Sequence, residues 1–367
     1  MSKPKVIAFY LPQYHPTPDN DRWWGKGFTE WTNVAKARPL FRGHYQPHVP
    51  ADLGFYDLRL PEVREAQAQL AREAGIYGFC YYHYWFGNGK EELELPFNEV
   101  LRLGKPDFPF MLCWANESWH RKFWDKDGKG TSKEMLVEQT YPGDEDHIAH
   151  FYRLLPAFTD PRYIRIDGKP AFMIYKPDAF PDITGFIRLW NALAEKEGLG
   201  GICFIAQLQE RFFEERYDDL IGKGFDIINT VGLYEALMSQ YNILEKFVYP
   251  LAHHVLNRPL SREYKKVYPH FVTSLDNKEK VCPTIIPNWD HTPRSGNNGW
   301  VLTDPAPEHV KKHFMQMLRI AKEKKETEPV VFLKSWNEWG EGNYMEPDLK
   351  YGHSYINALT EVLKEIE

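Results

Sequence analysis

Short, near-continuous apolar runs alternate along the chain with polar loops and with segments of helical periodicity. Eight such runs begin at Val6 (VIAFYLPQY), Tyr77 (YGFCYYHYWF), Phe110 (FMLCWANESW), Ala171 (AFMIYKP), Ile202 (ICFIAQLQ), Phe225 (FDIINTV), Cys282 (CPTIIPNWD) and Val330 (VVFLKSWNEW). β-Branched and aromatic residues fill consecutive positions, as in strands buried on both faces of a parallel sheet. Helices are expected between them. Pro61 to Ala74 carries Val63, Ala66, Leu70 and Ala74 at helical spacing, with Gly75 as a stop. Asp144 to Phe158, Thr184 to Glu197, Pro305 to Lys324 and Ser354 to Ile366 follow the same pattern. Eight strands alternating with helices predict an α/β fold, a (β/α)8 TIM barrel, over a doubly wound sheet.

Two segments depart from the alternation. Tyr163 to Pro170 reads as a hairpin turning at Asp167-Gly168. Residues of about 233–280 form an elaborated insertion between strands six and seven, rich in Tyr, His and Lys. There is no internal repeat and no Gly/Ser- or Pro-rich linker, so residues 1–367 are expected to form a single domain.

Composition narrows the function classes. Lys plus Arg is 45 and Asp plus Glu is 51, a formal charge of −6. That balance argues against a nucleic-acid partner, because no basic excess exists to neutralise phosphates. No run is long and apolar enough for a membrane span. The start, M-S-K-P-K-V-I-A-F-Y, has no secretory h-region, and Cys80, Cys113, Cys203 and Cys282 are widely spaced in apolar runs. Buried, reduced cysteines in a cytoplasmic protein are expected. Aromatic residues make up 15%, more than a core needs. Surplus rings are expected to line a cleft for flat or ring-shaped ligands.

Barrel chemistry projects from the carboxyl ends of strands, and here those ends are polar and aromatic. Strand one leads from Tyr10 to Gln13, Tyr14 and His15. Strand two ends in Tyr82, His83 and Trp85, and strand three in Trp114, Asn116 and Glu117. Strand five ends in Gln207, strand seven in Asn288, Trp289 and Asp290, and strand eight in Trp336 and Asn337. Each alone reads as well as a hydrogen-bonded strand terminus. Together they describe a carbohydrate cleft, in which rings stack on sugar C–H faces while amides and acids bond hydroxyls. The partner expected is therefore an oligosaccharide or polysaccharide.

The sharpest feature is Glu338-Trp-Gly-Glu341, two carboxylates three residues apart among Trp336, Trp339, Gly340 and Gly342. The glycines permit a tight turn that aims both acids into the cleft. Glycosidic chemistry needs such a pair, one neutral to protonate the leaving oxygen and one ionised as base or nucleophile. Glu346, in M-E-P-D, lies close enough to assist, although a loop ion pair reads at least as well, and Glu30, in G-F-T-E-W, is a candidate to reach the cleft mouth. The run His44-Tyr45-Gln46-Pro-His48 has no carboxylate at ligand spacing, so it is not read as a metal site. Neither G-x-G-x-x-G after strand one nor a P-loop is present. No metal or organic cofactor is expected.

These motifs carry a resemblance. Y-L-P-Q-Y-H-P, W-W-G-K-G-F-T-E-W-T-N-V and the block from Gly43 to Leu58 resemble the WbsX-type proteins. So do F-C-Y-Y-H-Y-W-F, C-W-A-N-E-S-W and S-W-N-E-W-G-E-G-N-Y-M-E-P-D. Such proteins are often labelled glycosyltransferases and are grouped as glycoside hydrolase family 99-like. Family 99 comprises retaining endo-α-mannosidases and endo-mannanases on a (β/α)8 barrel, with an E-x-x-E catalytic pair. The resemblance implies that Glu338 acts as base on the sugar 2-hydroxyl, forming a 1,2-anhydro sugar, and that Glu341 is the general acid. It implies a substrate with α-manno or α-rhamno configuration, where the axial 2-hydroxyl lies behind the axial leaving group. One departure stands out: family 99 often has a His where this chain has Gly340.

Two other functions compete. A glycosyltransferase of O-antigen or capsule synthesis would need a diphosphate site, but no D-x-D lies at a strand end, and Asp125-Lys-Asp127 reads as a solvated loop. A non-catalytic carbohydrate-binding barrel would not need both Glu338 and Glu341.

Overall fold

The computed structural model describes residues 3–122, 133–241 and 258–366. Asp125-Lys-Asp127 and residues 242–257 of the insertion fall outside them. All eight expected strands form: β1 Lys5–Tyr10, β2 Gly78–Trp85, β3 Phe110–Trp114, β4 Lys169–Ile174, β5 Cys203–Leu208, β6 Ile227–Thr230, β7 in two pieces (Val281–Cys282 and Thr284–Ile285), and β8 Val330–Leu333. They pair in parallel in chain order, and β8 returns to β1 through Lys5↔Val330 to Ala8↔Leu333. This is the (β/α)8 barrel. Residues of β1, β4 and β8 are almost wholly buried, as helices outside and side chains inside both demand.

The barrel closes at its weakest strand. Pro283 has no N–H to donate, so β7 breaks there. Its first piece pairs with β6 and its second with β8. The Asn229 side chain crosses the gap, donating to the Cys282 carbonyl at 3.0 Å and to the Thr284 hydroxyl at 2.8 Å. Gln207 in turn donates to Asn229 at 3.2 Å and accepts from Gln209 at 2.8 Å. Gln207 therefore braces the barrel wall.

The helices Pro61–Glu73, Asp144–Phe158, Ile183–Lys196, Pro307–Lys322 and Ser354–Ile366 agree with the periodicity to within two residues at each end. Leu95–Leu103 and Glu214–Gly222 are helices that periodicity did not single out, because each is short. The hairpin turns at Asp167 (φ 50°) and Gly168 (φ 79°), pairing Arg165 with Pro170. Between β6 and β7 the described part of the insertion contains the helix Leu233–Ser239 and the strand Leu260–Glu263, which pairs with Trp300–Thr303 from the loop after β7. All four cysteines are buried and unpaired, in β2, β3, β5 and β7. Among the described residues no helix is long and apolar enough to cross a membrane.

The aromatic surplus is mostly core, contrary to expectation. Trp114, Trp190, Trp336 and Trp339 are each at most 1% exposed. Around Trp190 pack Phe151, Phe158, Phe172, Phe186 and Phe204 in edge and tilted contacts. Rings fill wide gaps between barrel and helices, where each buries a large apolar area.

Candidate active site

Beyond β8 the chain forms a small hairpin. Asn337–Glu338 pairs antiparallel with Asn343–Tyr344, and Trp339–Glu341 is a single 3-10 turn between them. The hairpin is pinned from several sides. The Tyr14 hydroxyl donates to the Asn337 carbonyl at 2.5 Å and accepts from the Trp339 amide at 3.0 Å. The Asn337 side chain pairs with both backbone groups of Leu11. Asn343 donates to the carbonyls of Asn288 and Lys334, and Asn288 bonds both backbone groups of Tyr344. Trp339 stacks on Tyr344 with centroids 3.8 Å apart. Gly342 closes the turn at φ +53°, where a Cβ would lie 2.6 Å from Asp290 Cβ.

The hairpin presents Glu338 and Glu341 together to one cation. Arg294 Nη1 donates to Glu338 Oε1 at 3.1 Å and to Glu341 Oε1 at 2.7 Å, while its Nε donates to Glu30 Oε1 at 2.9 Å. Gly340 makes this possible: a Cβ there would stand 1.8 Å from Glu30 Oε1 and 2.9 Å from Arg294 Nε. Lys334 Nζ lies 3.5 Å from Glu338 Oε2 and 3.8 Å from Glu341 Oε2, and it donates to the Tyr82 hydroxyl at 3.3 Å. His291 Nε2 lies 3.5 Å from Glu341. The second oxygens of both acids are buried and accept no hydrogen bond from any described group, and the Trp289 indole N–H is likewise unpartnered.

The two acids sit in unequal fields. Burial, then the negative charge of Glu341, raises Glu338 above the ordinary carboxylate range against the pull of Lys334 and Arg294. Burial pushes Glu341 up as well, but Lys334, Arg294 and His291 together hold it well below that range. Of the pair, Glu338 therefore has the higher proton affinity and Glu341 the lower.

Several expected site residues serve as scaffold. Asp290 is 4% exposed. It accepts from Gln46 Nε2 at 2.6 Å and from the amide and hydroxyl of Thr292 at 3.0 and 2.5 Å. The Leu40 amide donates to His44 Nδ1, so His44 Nε2 carries the proton it gives to Asp290 at 2.7 Å. His48 Nδ1 meets the Tyr344 hydroxyl, which donates to Asp348. The H-Y-Q-P-H run thus meets a carboxylate supplied from far along the chain, and it holds the short helix Thr292–Ser295 that carries Arg294. Among the described residues no group of three or more metal-ligating side chains assembles. Glu346 lies beneath Trp339, whose indole N–H donates to it at 2.7 Å. Tyr56 and Gln67 also donate, and Tyr10 bonds Gln67. Burial holds Glu346 up at about 7 in spite of these donors. Trp31 packs against Tyr14 and Trp339 and donates to the Tyr56 carbonyl. His15 and Trp336 are buried, and the Gln13 carbonyl accepts from the Glu30 amide.

A second group lies away from the acids. Trp85 is 4% exposed and Trp114 is 1% exposed, which corrects the expectation that they offer stacking faces. Their indole N–H groups donate to Asp146 and to the Trp85 carbonyl, and His150 packs against both rings. His83 pairs with His150 at 2.8 Å, and burial lowers it to about 3. Asn116 ties the ends of β3 and β4 through Lys176. Glu117 is exposed, 3.9 Å from the Lys176 ammonium.

Of the expected residues, then, Glu338, Glu341, Glu30, Tyr82 and Trp289 converge. Arg294, Lys334, His291 and Tyr175, whose ring meets Tyr82 at 6.2 Å, were not anticipated. Lys334 had a signal, a lysine interrupting an apolar strand four residues before Glu338. Arg294 had none, because its role depends on a loop folding back over the hairpin.

Comparison with known proteins agrees with this architecture. The profile of a family described as Glycosyltransferase WbsX matches residues 6–359. The chain belongs to the WbsX family. Two curated relatives, each called uncharacterized protein WxcX, come from two strains of Xanthomonas campestris pv. campestris. Each is 35% identical over 98% of this chain and 49% of its own length. The chain thus spans about half the length of the curated relatives it matches. Among solved structures, a glycoside hydrolase-like protein aligns with TM-score 0.62 at 16% identity, over 99% of this chain and 94% of its own. The GH99 endo-alpha-mannosidase from Bacteroides thetaiotaomicron aligns with TM-score 0.54 at 14% identity, over 98% and 96%. These likenesses concern the barrel fold.

Two predictions follow from the geometry of this WbsX site. Gly340→Ala should cost roughly 1–3 kcal/mol, as overpacking in a buried cluster does. Glu30→Ala should relieve most of that in the double variant, as read by thermal melting. Additive losses would show that Gly340 is not shaped around Glu30. Arg294→Met should move both limbs of the kcat/KM–pH profile to higher pH by roughly 1–3 units, since a nearby cation favours ionised carboxylates. An unmoved profile would mean that Arg294 does not set the proton affinity of the pair.

Proposed function

We propose that this WbsX chain is a retaining glycoside hydrolase acting on α-manno- or α-rhamno-configured linkages of bacterial polysaccharide. One observation carries the reading: two buried carboxylates, Glu338 and Glu341, both accept from the Arg294 Nη1 nitrogen, at 3.1 and 2.7 Å. Two oxygens bonded to one nitrogen lie within about 6 Å of each other, nearer than the ~6.5–9.5 Å that inverting enzymes leave for water. The endo-alpha-mannosidase named among the structural neighbours supports the substrate class.

This mechanism runs with one proton on the pair. The reaction needs that proton on Glu341, the general acid, and needs Glu338 ionised to deprotonate the sugar 2-hydroxyl. That hydroxyl attacks C1 from behind while the leaving oxygen takes the proton of Glu341. Glu341, now a base, activates water to open the 1,2-anhydro sugar, and the proton on Glu338 returns to the 2-oxygen. Glu341 is therefore the acid whose proton affinity has to rise when substrate binds, because Lys334, Arg294 and His291 lower it in the free chain. A raised proton affinity suits Glu338, because a stronger base deprotonates a hydroxyl more readily. The intramolecular attack benefits from effective molarities of roughly 10⁵–10⁸ M.

The family's description names a glycosyltransferase. That reading requires cations free to bind a diphosphate. Arg294 and Lys334, at the centre of the site, are already engaged by carboxylates. Incubation with aryl α-mannoside, aryl α-rhamnoside and GDP- or dTDP-sugars, with products followed by mass, separates the two. Free reducing sugar supports hydrolysis, and sugar transfer from a nucleotide rejects it.

Glu341→Gln should lose at least a hundredfold on unactivated glycosides, in line with the ~10²–10⁴-fold worth of general acid catalysis. It should spare aryl glycosides with good leaving groups. Equal loss on both would remove Glu341 from the acid role. A 2-fluoro substrate should be nearly inert and trap no adduct. A glycosyl ester on Glu338 found by mass spectrometry would replace this mechanism with double displacement.

A further inference from the structure

Outside the acid pair, at the rim of the barrel's carboxyl face, three half-buried tryptophans gather from two loops. Trp23 and Trp24 end the helix Pro18–Trp24 in the loop after β1, and Trp119 opens the hairpin after β3. Trp23 and Trp119 meet edge to face, with centroids 6.0 Å apart at 77°. Trp119 also meets Tyr84 at 5.0 Å and Phe86 at 5.3 Å, both steeply tilted.

Tyr84 connects this cluster to the acids. It stands on β2 two residues beyond Tyr82. Burial raises its hydroxyl well above the usual range, the charge of Glu338 raises it further, and Arg294 opposes them. Tyr84 shares a face of β2 with Tyr82, whose hydroxyl is joined to Glu338 by Lys334, so an aromatic ridge runs from Tyr82, through Tyr84, to Trp119 and Trp23. Trp289 lies at the end of β7, across β8 from this ridge.

Indoles left partly in water on a rim keep apolar area hydrated at a cost in free energy. Here the edge-to-face contacts lock their orientation, so they present rigid faces that lose little entropy on binding. A sugar ring matches such a face, with apolar C–H groups on one side and hydroxyls around its edge. The ridge is continuous with the acids, so a glycan whose bond lies at Glu338 and Glu341 extends along it. Resting on the glycosidase reading, we infer that Trp119 and Trp23, backed by the buried Tyr84, form a distal subsite that binds sugar residues of the same chain beyond those held at the acid pair.

The test uses the full chain with aryl glycosides of α-manno- and α-rhamno-oligosaccharides of one to six sugars. The readout is the ratio of kcat/KM on the six-sugar substrate to that on the one-sugar substrate. Trp23→Ala should lower this ratio about tenfold. Trp119→Phe, which keeps a ring against Tyr84 and Phe86, should lower it severalfold. A ratio unchanged in both variants overturns the subsite. Affinity electrophoresis through gels of polymeric α-mannan or α-rhamnan tests it without turnover. Retardation of the native chain that Trp23→Ala abolishes supports the ridge even if no substrate is cleaved, an outcome that would sink only the hydrolase reading. Retardation equal in native chain and variant overturns the ridge and leaves hydrolysis standing.

Discussion

One guanidinium organises the carboxyl face of this barrel. Arg294 reaches three carboxylates from three parts of the chain: Glu30 in the loop after β1, and Glu338 and Glu341 in the hairpin after β8. Three buried acids without that cation would repel one another and suffer the full cost of desolvation. The surroundings answer to the geometry of this contact. Gly340 is bare because Glu30 occupies the place of a side chain. Asp290 holds the turn before Arg294 with its carboxylate, and its amide donates to the Glu341 carbonyl at 2.7 Å. The same residue thus fixes cation and acid relative to each other.

Charge balance explains why the two acids differ. Arg294 and Lys334 are two cations facing Glu30, Glu338 and Glu341. The acids do not share these cations equally: burial and the charge of Glu341 raise the proton affinity of Glu338, while Lys334, Arg294 and His291 lower that of Glu341. A buried pair that changes its proton from one oxygen to another without changing its total charge is suited to acid–base work, because no net charge has to enter or leave a low-dielectric site.

The fold was largely legible in the sequence, and the site only partly. Eight apolar runs became eight strands because burial on both faces leaves no room for polar positions. The break in β7 was visible as Pro283 but its meaning was not, because the repair comes from Asn229 on the neighbouring strand. Glu338 and Glu341 could be read from spacing and glycines, since both lie in one local turn. Trp85 and Trp114 were misread because a tryptophan at a strand end looks alike whether it faces a cleft or a helix. What decided their fate was His150, on a helix that closes over both rings. Arg294 and Lys334 illustrate the opposite failure, in which single cations in unremarkable positions acquire meaning only once distant carboxylates arrive.

The family-specific amino-terminal block takes on a physical role in this light. H-Y-Q-P-H and G-F-T-E-W lie far in sequence from the acid pair, yet they supply His44 and Gln46 to Asp290, and Glu30 to Arg294. They are the mould into which the E-W-G-E turn is pressed. A barrel with TM-score 0.54 to an endo-alpha-mannosidase and only 14% identity therefore shares a frame but sets its own proton affinities. The resemblance noted a His in many family 99 chains at the position of Gly340, whereas here the gap admits a carboxylate and its guanidinium. Replacing a neutral or titrating ring by an ion pair beside the acids changes the field in which both ionise. Gly340, Glu30 and Arg294 are therefore coupled, because Glu30 occupies the space a side chain at residue 340 would fill and binds the guanidinium that holds both acids.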